Sequence, residues 1–173
     1  FLMKEIFFQD HLWQPTTQNQ THLEYNINTM QLYDLEKLSK ISKKLKLRGK
    51  KIGLCHGVFD VIHAGHISHF EEVKKKCDYL FVTVTEDKFV NKGPSRPVFN
   101  LNMRMQMLSS IQEIDFVISN HQQTPINLIK ILKPDFYCKG KDYKNNKDDI
   151  TGNIKKEQKA IKSVGGSIYY TKS

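Results

Sequence analysis

Hydrophobic and polar positions follow two kinds of spacing over most of the chain. Apolar residues three or four positions apart predict helices at residues 33–45, 66–77, 101–111, 124–132 and 151–164. Short runs rich in β-branched and aromatic residues predict strands at residues 51–55, 79–85, 116–118, 135–138 and 167–171. From residue 33 onward, predicted helices and strands therefore follow one another in turn.

This alternation predicts an α/β fold. We expect a Rossmann-like, three-layer α/β/α domain with a parallel five-stranded sheet, because parallel strands need crossovers that cover both faces of the sheet. Residues 1–30 lack a clear period and contain the polar stretch 14–21. They are expected to form an N-terminal extension or linker, and residues 31–173 the domain itself. Such sheets bind ligands at the carboxyl ends of their strands.

Length and composition narrow the class of protein. The 173 residues suffice for one domain with a sizeable core. No stretch approaches the roughly 18 uncharged apolar residues of a membrane span, and residues 1–8 are too few and too charged for a signal-peptide core. We therefore expect a cytoplasmic protein with no membrane partner. Cys55, Cys77 and Cys138 are widely spaced and odd in number, so we expect reduced thiols.

The formal net charge of +9 favours an anionic ligand. Nucleic acid, a membrane surface and a triphosphate all satisfy this condition, and charge alone does not choose among them. A nucleic-acid-binding module is an alternative of a different class. Aromatic residues do not interleave with basic ones as a base-stacking surface requires, so we expect no nucleic-acid partner.

The candidate chemistry is concentrated in residues 57–66, between the first predicted strand and the helix that follows it. Gly57 and Gly65 allow the backbone to approach a phosphate closely. His63 and His66 are three residues apart, so their rings face the same side if the turn into the helix is regular. The following helix directs its free amide groups at the loop, which favours an anion there.

Two imidazoles and a helix N-terminus directed at one point suit a phosphoryl-transfer transition state. Negative charge grows on the equatorial oxygens, and fixed donors stabilise it more strongly than they stabilise the ground state. A structural zinc site is the weaker alternative, because zinc prefers Cys-rich or differently spaced ligands. We therefore predict no metal ligands in the protein, and we expect His69 to lie on the surface.

Four motifs, in this order, resemble the cytidylyltransferase-like nucleotidyltransferases. The segment Gly57-x-Phe59-Asp60-x-x-His63-x-Gly65-His66 is similar to the signature of that superfamily. The stretch Lys92–Val98, Arg104 in the next helix, and the stretch Lys139–Tyr143 are similar to the adenylyltransferase domain of bacterial ADP-heptose synthesis enzymes. The resemblance runs from about Tyr33 to the end of the chain.

The resemblance implies a role for each matched side chain. His63 and His66 would bind the triphosphate and stabilise the transition state, and Lys92 would reach the α-phosphate or the incoming phosphate. These three are the candidate catalytic residues. Arg96 and Arg104 would bind phosphates.

The resemblance also implies nucleotide contacts from two segments. The contacting residues would be Gly57, Val58, Phe59, His63, Gly65 and His66 in the first segment, and Lys139, Gly140 and Asp142, beside the ribose or base, in the second. Asp60 is expected to hold the loop by hydrogen bonds. Mg²⁺ would bridge the triphosphate oxygens, held more by nucleotide and water than by protein.

The implied reaction transfers AMP or CMP from ATP or CTP to a phosphorylated small molecule and releases pyrophosphate. A sugar 1-phosphate with ATP is the first expectation, because the second and fourth motifs resemble the heptose enzymes. A polyol phosphate, similar to glycerol phosphate, with CTP is the close alternative. Proteins of this family are usually dimers, so a homodimer is expected.

Two features depart from the pattern of the heptose enzymes. His56 stands where relatives usually carry Asn, Asp or Thr, and the segment 145–156 is longer and more charged. Both weaken the assignment of heptose 1-phosphate as the substrate. Relatives also continue with a Ser/Thr-rich motif that opens one more helix, whereas this sequence stops at Ser173. A domain truncated at its C-terminal end is therefore expected, and a catalytically silent domain is a further alternative.

Overall fold

The computed structural model describes residues 34–144 and 153–172. The expected extension at 1–30 and most of the charged segment 145–156 lie outside these residues. The strands are β1 (Ile52–Gly57), β2 (Tyr79–Thr85), β3 (Phe116–Asn120), β4 (Phe136–Lys139) and β5 (Ser167–Tyr170). The α-helices are α1 (Leu35–Leu47), α2 (Ala64–Lys74), α3 (Leu101–Ser109), α4 (Ile126–Leu132) and α5 (Ile154–Ser163).

The strands form one parallel five-stranded sheet in the order β3-β2-β1-β4-β5. The chain builds outward from β1 to β2 and β3, and then returns to the other side of β1 to add β4 and β5. The α/β, Rossmann-like fold predicted from the sequence is therefore confirmed. The strand order reverses at β1, so the carboxyl end of β1 is where such a sheet opens a ligand crevice.

Two apolar clusters, one on each face of the sheet, form the core. On one face, α1, α4 and α5 bury residues such as Leu38, Ile129 and Ile161 against the sheet. On the other, α2 and α3 bury residues such as Phe70 and Leu108. Burial of apolar surface on both faces is the main term that stabilises the three layers.

Polar side chains cap the N-termini of α2 and α3. Asn100 caps α3, because its side chain accepts a hydrogen bond from the Met103 amide at 3.0 Å. Helix α2 begins at Ala64, two residues before the predicted start, because His63 is its N-cap and accepts from the Gly65 amide at 3.1 Å. A candidate site residue thus also initiates the helix whose N-terminus faces the site.

The first residue predicted for β4, Asp135, lies before the strand and connects β4 to β1. Its carboxylate accepts from the Ile52 amide at 3.0 Å and pairs with the Lys51 ammonium at 3.1 Å. Asp135 therefore fixes the register at the amino end of the sheet, opposite the ligand edge.

The described residues contain no helix that is both long and apolar enough to cross a membrane. The three cysteines are free, as predicted, and Cys55 and Cys138 are buried. Burial raises the pKa of the Cys55 thiol well above its usual range.

Candidate active site

A cavity of about 370 Å³ opens at the carboxyl end of β1. The loop after β1 and the loop after β2 both contribute to its wall. The lining residues are Phe59, Asp60, Val61, His63, His66, Lys92 and Arg96. The structure therefore brings together all three candidate catalytic residues and one of the two candidate phosphate-binding arginines.

The rings of His63 and His66 lie side by side, with their centroids 4.0 Å apart. Nδ1 of His63 is occupied by the Gly65 amide. Nδ1 of His66 is buried and has no hydrogen-bond partner among the described residues. Burial, followed by the nearby positive charges, lowers the pKa of His66 to about 4. The His66 ring is therefore neutral at pH 7. A buried nitrogen without a hydrogen-bond partner is typical of a ligand-binding site.

Gly65 matters because of the space that His63 occupies. A Cβ at position 65 would lie 3.0 Å from Cε1 and 3.1 Å from Nδ1 of His63. Gly65→Ala is therefore expected to displace the His63 ring and lower turnover by about tenfold, while the free energy of unfolding stays nearly constant. Steady-state kinetics and urea unfolding check this, with the exposed Ser68→Ala in the same helix as control. Equal activity of the two variants would contradict the steric role of Gly65.

Phe59 has φ of 50°, a left-handed backbone conformation that is uncommon for a residue other than glycine. Its ring packs against His66 and Phe70, with centroids 5.6 Å from each. A Cβ on Gly57 would come within 3.1 Å of the Phe59 ring. Packing of the Phe59 ring therefore holds the loop in a sparsely populated backbone conformation. Such conformations are common in loops whose backbone contacts a ligand.

Asp60 joins the two loops that line the cavity. Its buried carboxylate accepts from Arg96 Nη1 at 2.7 Å, from the Val98 amide at 2.6 Å and from the Phe99 amide at 3.3 Å. Burial opposes ionisation, but these hydrogen bonds prevail and hold the pKa of Asp60 below its usual value. Asp60 thus holds the loop, as the resemblance implies, and Arg96 is tethered at the cavity wall.

Arg104 does not reach the cavity. Its side chain is fully buried, and it donates to the carbonyls of Val58, Thr85 and Phe99 and to the Asp87 carboxylate. Because protein acceptors surround the guanidinium, the phosphate contact expected of Arg104 is not available in this arrangement. The arginine instead ties helix α3 to the ends of β1 and β2.

Lys139 is also placed differently from the expectation. Its buried ammonium pairs with Glu157 Oε2 at 3.3 Å, and the same oxygen accepts from the Tyr137 hydroxyl at 3.0 Å. The Lys139 side chain therefore contacts α5 and does not point toward a ribose or base. Gly140 is half-buried, with open space where a Cβ would stand. The side chain of Asp142 lies outside the described part of the chain.

A layer of polar residues along β1, β2 and α2 was not predicted from the sequence. His56 Nδ1 lies 2.8 Å from Thr83 Oγ1, across the β1–β2 pair. His69, expected on the surface, is half-buried: its ring nitrogens lie 2.8 Å from Thr171 Oγ1 and 3.3 Å from Cys55 Sγ. The alternation of Thr83 and Thr85 within an otherwise apolar strand was the available signal for this layer.

Three half-buried histidines should make the fold sensitive to acid. Burial is the largest cause in each case, and it lowers the pKa of His56 to about 3 and those of His66 and His69 to about 4. The unfolded chain binds these protons below about pH 6.5 and the folded chain does not, so the free energy of unfolding falls as the pH drops from 6.5 toward 4.

Urea unfolding at pH 7.5 and pH 5.0 measures this effect. The midpoint should be clearly lower at pH 5.0, and His56→Asn should reduce the difference. Equal midpoints at the two pH values would show that these rings do not remain neutral in the folded protein.

The parallel sheet, the reversed strand order and the cavity at the end of β1 define a Rossmann-like α/β domain with a ligand crevice at its topological switch point. The sequence pattern of the family described as cytidylyltransferase-like matches residues 54–170. The chain belongs to the cytidylyltransferase-like family, and it is an enzyme of the nucleotidyltransferase class.

Curated relatives carry the name bifunctional protein HldE. The chain is 39% identical to that of Nitratiruptor sp. over 135 residues, which cover 77% of this chain and 29% of the relative. It is 38% identical to that of Haemophilus ducreyi over 136 residues, which cover 75% and 29%. The chain thus spans less than a third of the length of these relatives.

Among solved structures, the chain is similar to a lipopolysaccharide core biosynthesis protein from Thermoplasma volcanium. The sequences are 27% identical, the TM-score is 0.57, and the match covers 70% of this chain and 94% of that one. The similarity to that protein extends over nearly its whole length, which agrees with the fold described above.

Proposed function

We propose that the protein transfers a nucleotidyl group from ATP or CTP to a phosphorylated small molecule and releases pyrophosphate. The observation that carries the proposal is the pair of histidine rings 4.0 Å apart at the carboxyl end of β1, on a cavity that Lys92 and Arg96 also line. The favoured pair of substrates is ATP with a sugar 1-phosphate. CTP with a polyol phosphate is the alternative.

In the proposed reaction, an oxygen of the acceptor phosphate attacks the α-phosphorus in line. The new bond joins that oxygen to phosphorus, and the bond from phosphorus to the β-phosphate oxygen breaks, so pyrophosphate leaves. The neutral His66 ring and His63 would donate hydrogen bonds to the equatorial oxygens as their charge grows. Lys92 and Arg96 would supply positive charge. No protein nucleophile takes part.

The nucleotide would lie along the backbone of Gly57, Val58, Phe59 and Gly65, with its ribose or base near Gly140 and Asp142. Every hydrogen bond recorded for the Asp60 carboxylate goes to a donor of the protein. The described residues contain no cluster of three or more His, Cys, Asp or Glu side chains that could hold a metal ion. Mg²⁺ would arrive with the triphosphate and be held mainly by phosphate and water.

A pyrophosphate-release assay over a matrix of ATP and CTP with sugar 1-phosphates and polyol phosphates tests the proposal. We expect release with ATP and at least one sugar 1-phosphate, and none when His63 and His66 are both replaced by alanine. Release only with CTP and a polyol phosphate would select the alternative. Absence of release with every pair would refute the proposed function and favour a catalytically silent domain.

A further inference from the structure

A single buried arginine controls the backbone at the point where the nucleotide is proposed to lie. Arg104 Nη1 donates to the carbonyl of Val58, and its other groups donate to Phe99 O at 3.0 Å, Thr85 O at 2.8 Å and Asp87 Oδ1 at 2.6 Å. Planar donors spread over four acceptors hold the guanidinium in one orientation. Arg104 is therefore a rigid anchor for the Val58 carbonyl.

The orientation of that carbonyl determines where the next amide points. In a planar trans peptide the C=O and N–H bonds point in opposite directions, so the Phe59 N–H points away from Arg104. Among the described residues, this amide has no hydrogen-bond acceptor. Phe59 itself lines the cavity and has a left-handed φ of 50°. A strained peptide with a free donor beside an anion-binding cavity indicates preorganisation for a ligand.

The geometry points to Arg104 as a positioning residue, which holds the Val58–Phe59 peptide so that the Phe59 amide donates to a phosphate of the bound nucleotide. Arg104 touches no substrate and acts through the peptide alone. This inference rests on the proposed function, because it assigns the cavity to a nucleoside triphosphate. It also explains why an arginine occupies the buried face of α3, where an apolar residue would otherwise pack.

Binding of α,β-methylene ATP, or of the matching CTP analogue, tests the inference by calorimetry without turnover. Arg104→Lys keeps the charge but cannot donate to four acceptors, so we expect its dissociation constant to rise by at least about tenfold. Met105→Ala is the matched control: it destabilises the same buried face of α3 and leaves the Val58 contact intact. It should bind within about twofold of the wild type.

A second change removes the Phe59 donor itself. Incorporation of phenyllactic acid at position 59 converts the amide to an ester, which has no N–H. The ester alone should weaken binding about as much as Arg104→Lys, and adding it to Arg104→Lys should change binding by less than about twofold, because both remove the same contact. If the ester and Arg104→Lys act independently, so that their effects multiply, the inference is overturned.

Equal binding by Arg104→Lys and Met105→Ala would also overturn it. Should Arg104→Lys fail to fold, Asp87→Asn weakens the anchor at a partly exposed site and is expected to raise the dissociation constant about threefold; unchanged binding would overturn the inference. Wild-type protein that binds nucleotide but releases no pyrophosphate would refute the proposed reaction and leave the role of Arg104 standing. Wild-type protein that binds neither analogue refutes both.

Discussion

Replacement of His66 by alanine is expected to lower kcat by about 10³-fold while the fold is retained, because one fixed donor to the transition state is worth about this much. The ring packs edge-on against Phe59 and is only half-buried, so its loss leaves a small defect. The effect should appear in kcat more than in KM, since the charge on the equatorial oxygens is largest in the transition state.

His121→Ala provides the matched control. His121 is an exposed histidine beyond β3, where it pairs with Glu86, and it does not line the cavity. Its replacement should leave turnover unchanged. If His66→Ala turned over at the wild-type rate, or if the two variants lost equal activity, His66 would have no direct part in the chemistry.

Lys92→Ala is expected to lower kcat/KM by about 10²-fold, because it removes a positive charge from the cavity wall. Lys92 is exposed in a loop with two left-handed positions, Gly93 at φ 98° and Ser95 at φ 59°. Asp60 anchors this loop through Arg96 and Val98. We therefore expect the loss of Lys92 to change neither the conformation of the loop nor the free energy of unfolding of the protein.

Lys88→Ala separates a specific contact from a general loss of charge. Lys88 is exposed in the same connection after β2 that contains Lys92. It pairs with Glu86 at 2.8 Å and does not line the cavity. Lys88→Ala should retain nearly full kcat/KM. Raised salt should change the kcat/KM of Lys88→Ala and of Lys92→Ala by the same factor. Comparable losses in the two variants would show that Lys92 acts only through the net charge of the protein.

The spacing of residues along the sequence was sufficient to predict most of the fold and the two histidines at the centre of the site. The pair His63 and His66 could be predicted because residues three apart at the start of a helix face one side, whatever the rest of the chain does. The alternation of strands and helices similarly determined the parallel sheet. These properties depend on near neighbours in the sequence, which are visible without a structure.

The direction in which a long polar side chain points depends on tertiary packing, so it was harder to predict from the sequence. Arg104 lies on the same helical face as Leu101 and Leu108, and this position indicated burial. The resemblance to phosphate-binding arginines led instead to the prediction of a phosphate contact. Lys139 lies two residues after the fully buried Tyr137 and therefore points to the same side of β4. The contact of His56 with Thr83 depends on the register of β1 against β2, which is set across the sheet.

The proposed reaction is the direct transfer of a nucleotidyl group to an acceptor phosphate, with no covalent intermediate on the enzyme. Exchange of labelled pyrophosphate into the nucleoside triphosphate tests it most directly. We predict that label enters the triphosphate only when the phosphorylated acceptor is present, and that His66→Ala abolishes the exchange. Exchange without an acceptor would indicate a nucleotidyl-enzyme intermediate, and no exchange with any acceptor in the matrix would contradict nucleotidyl transfer itself.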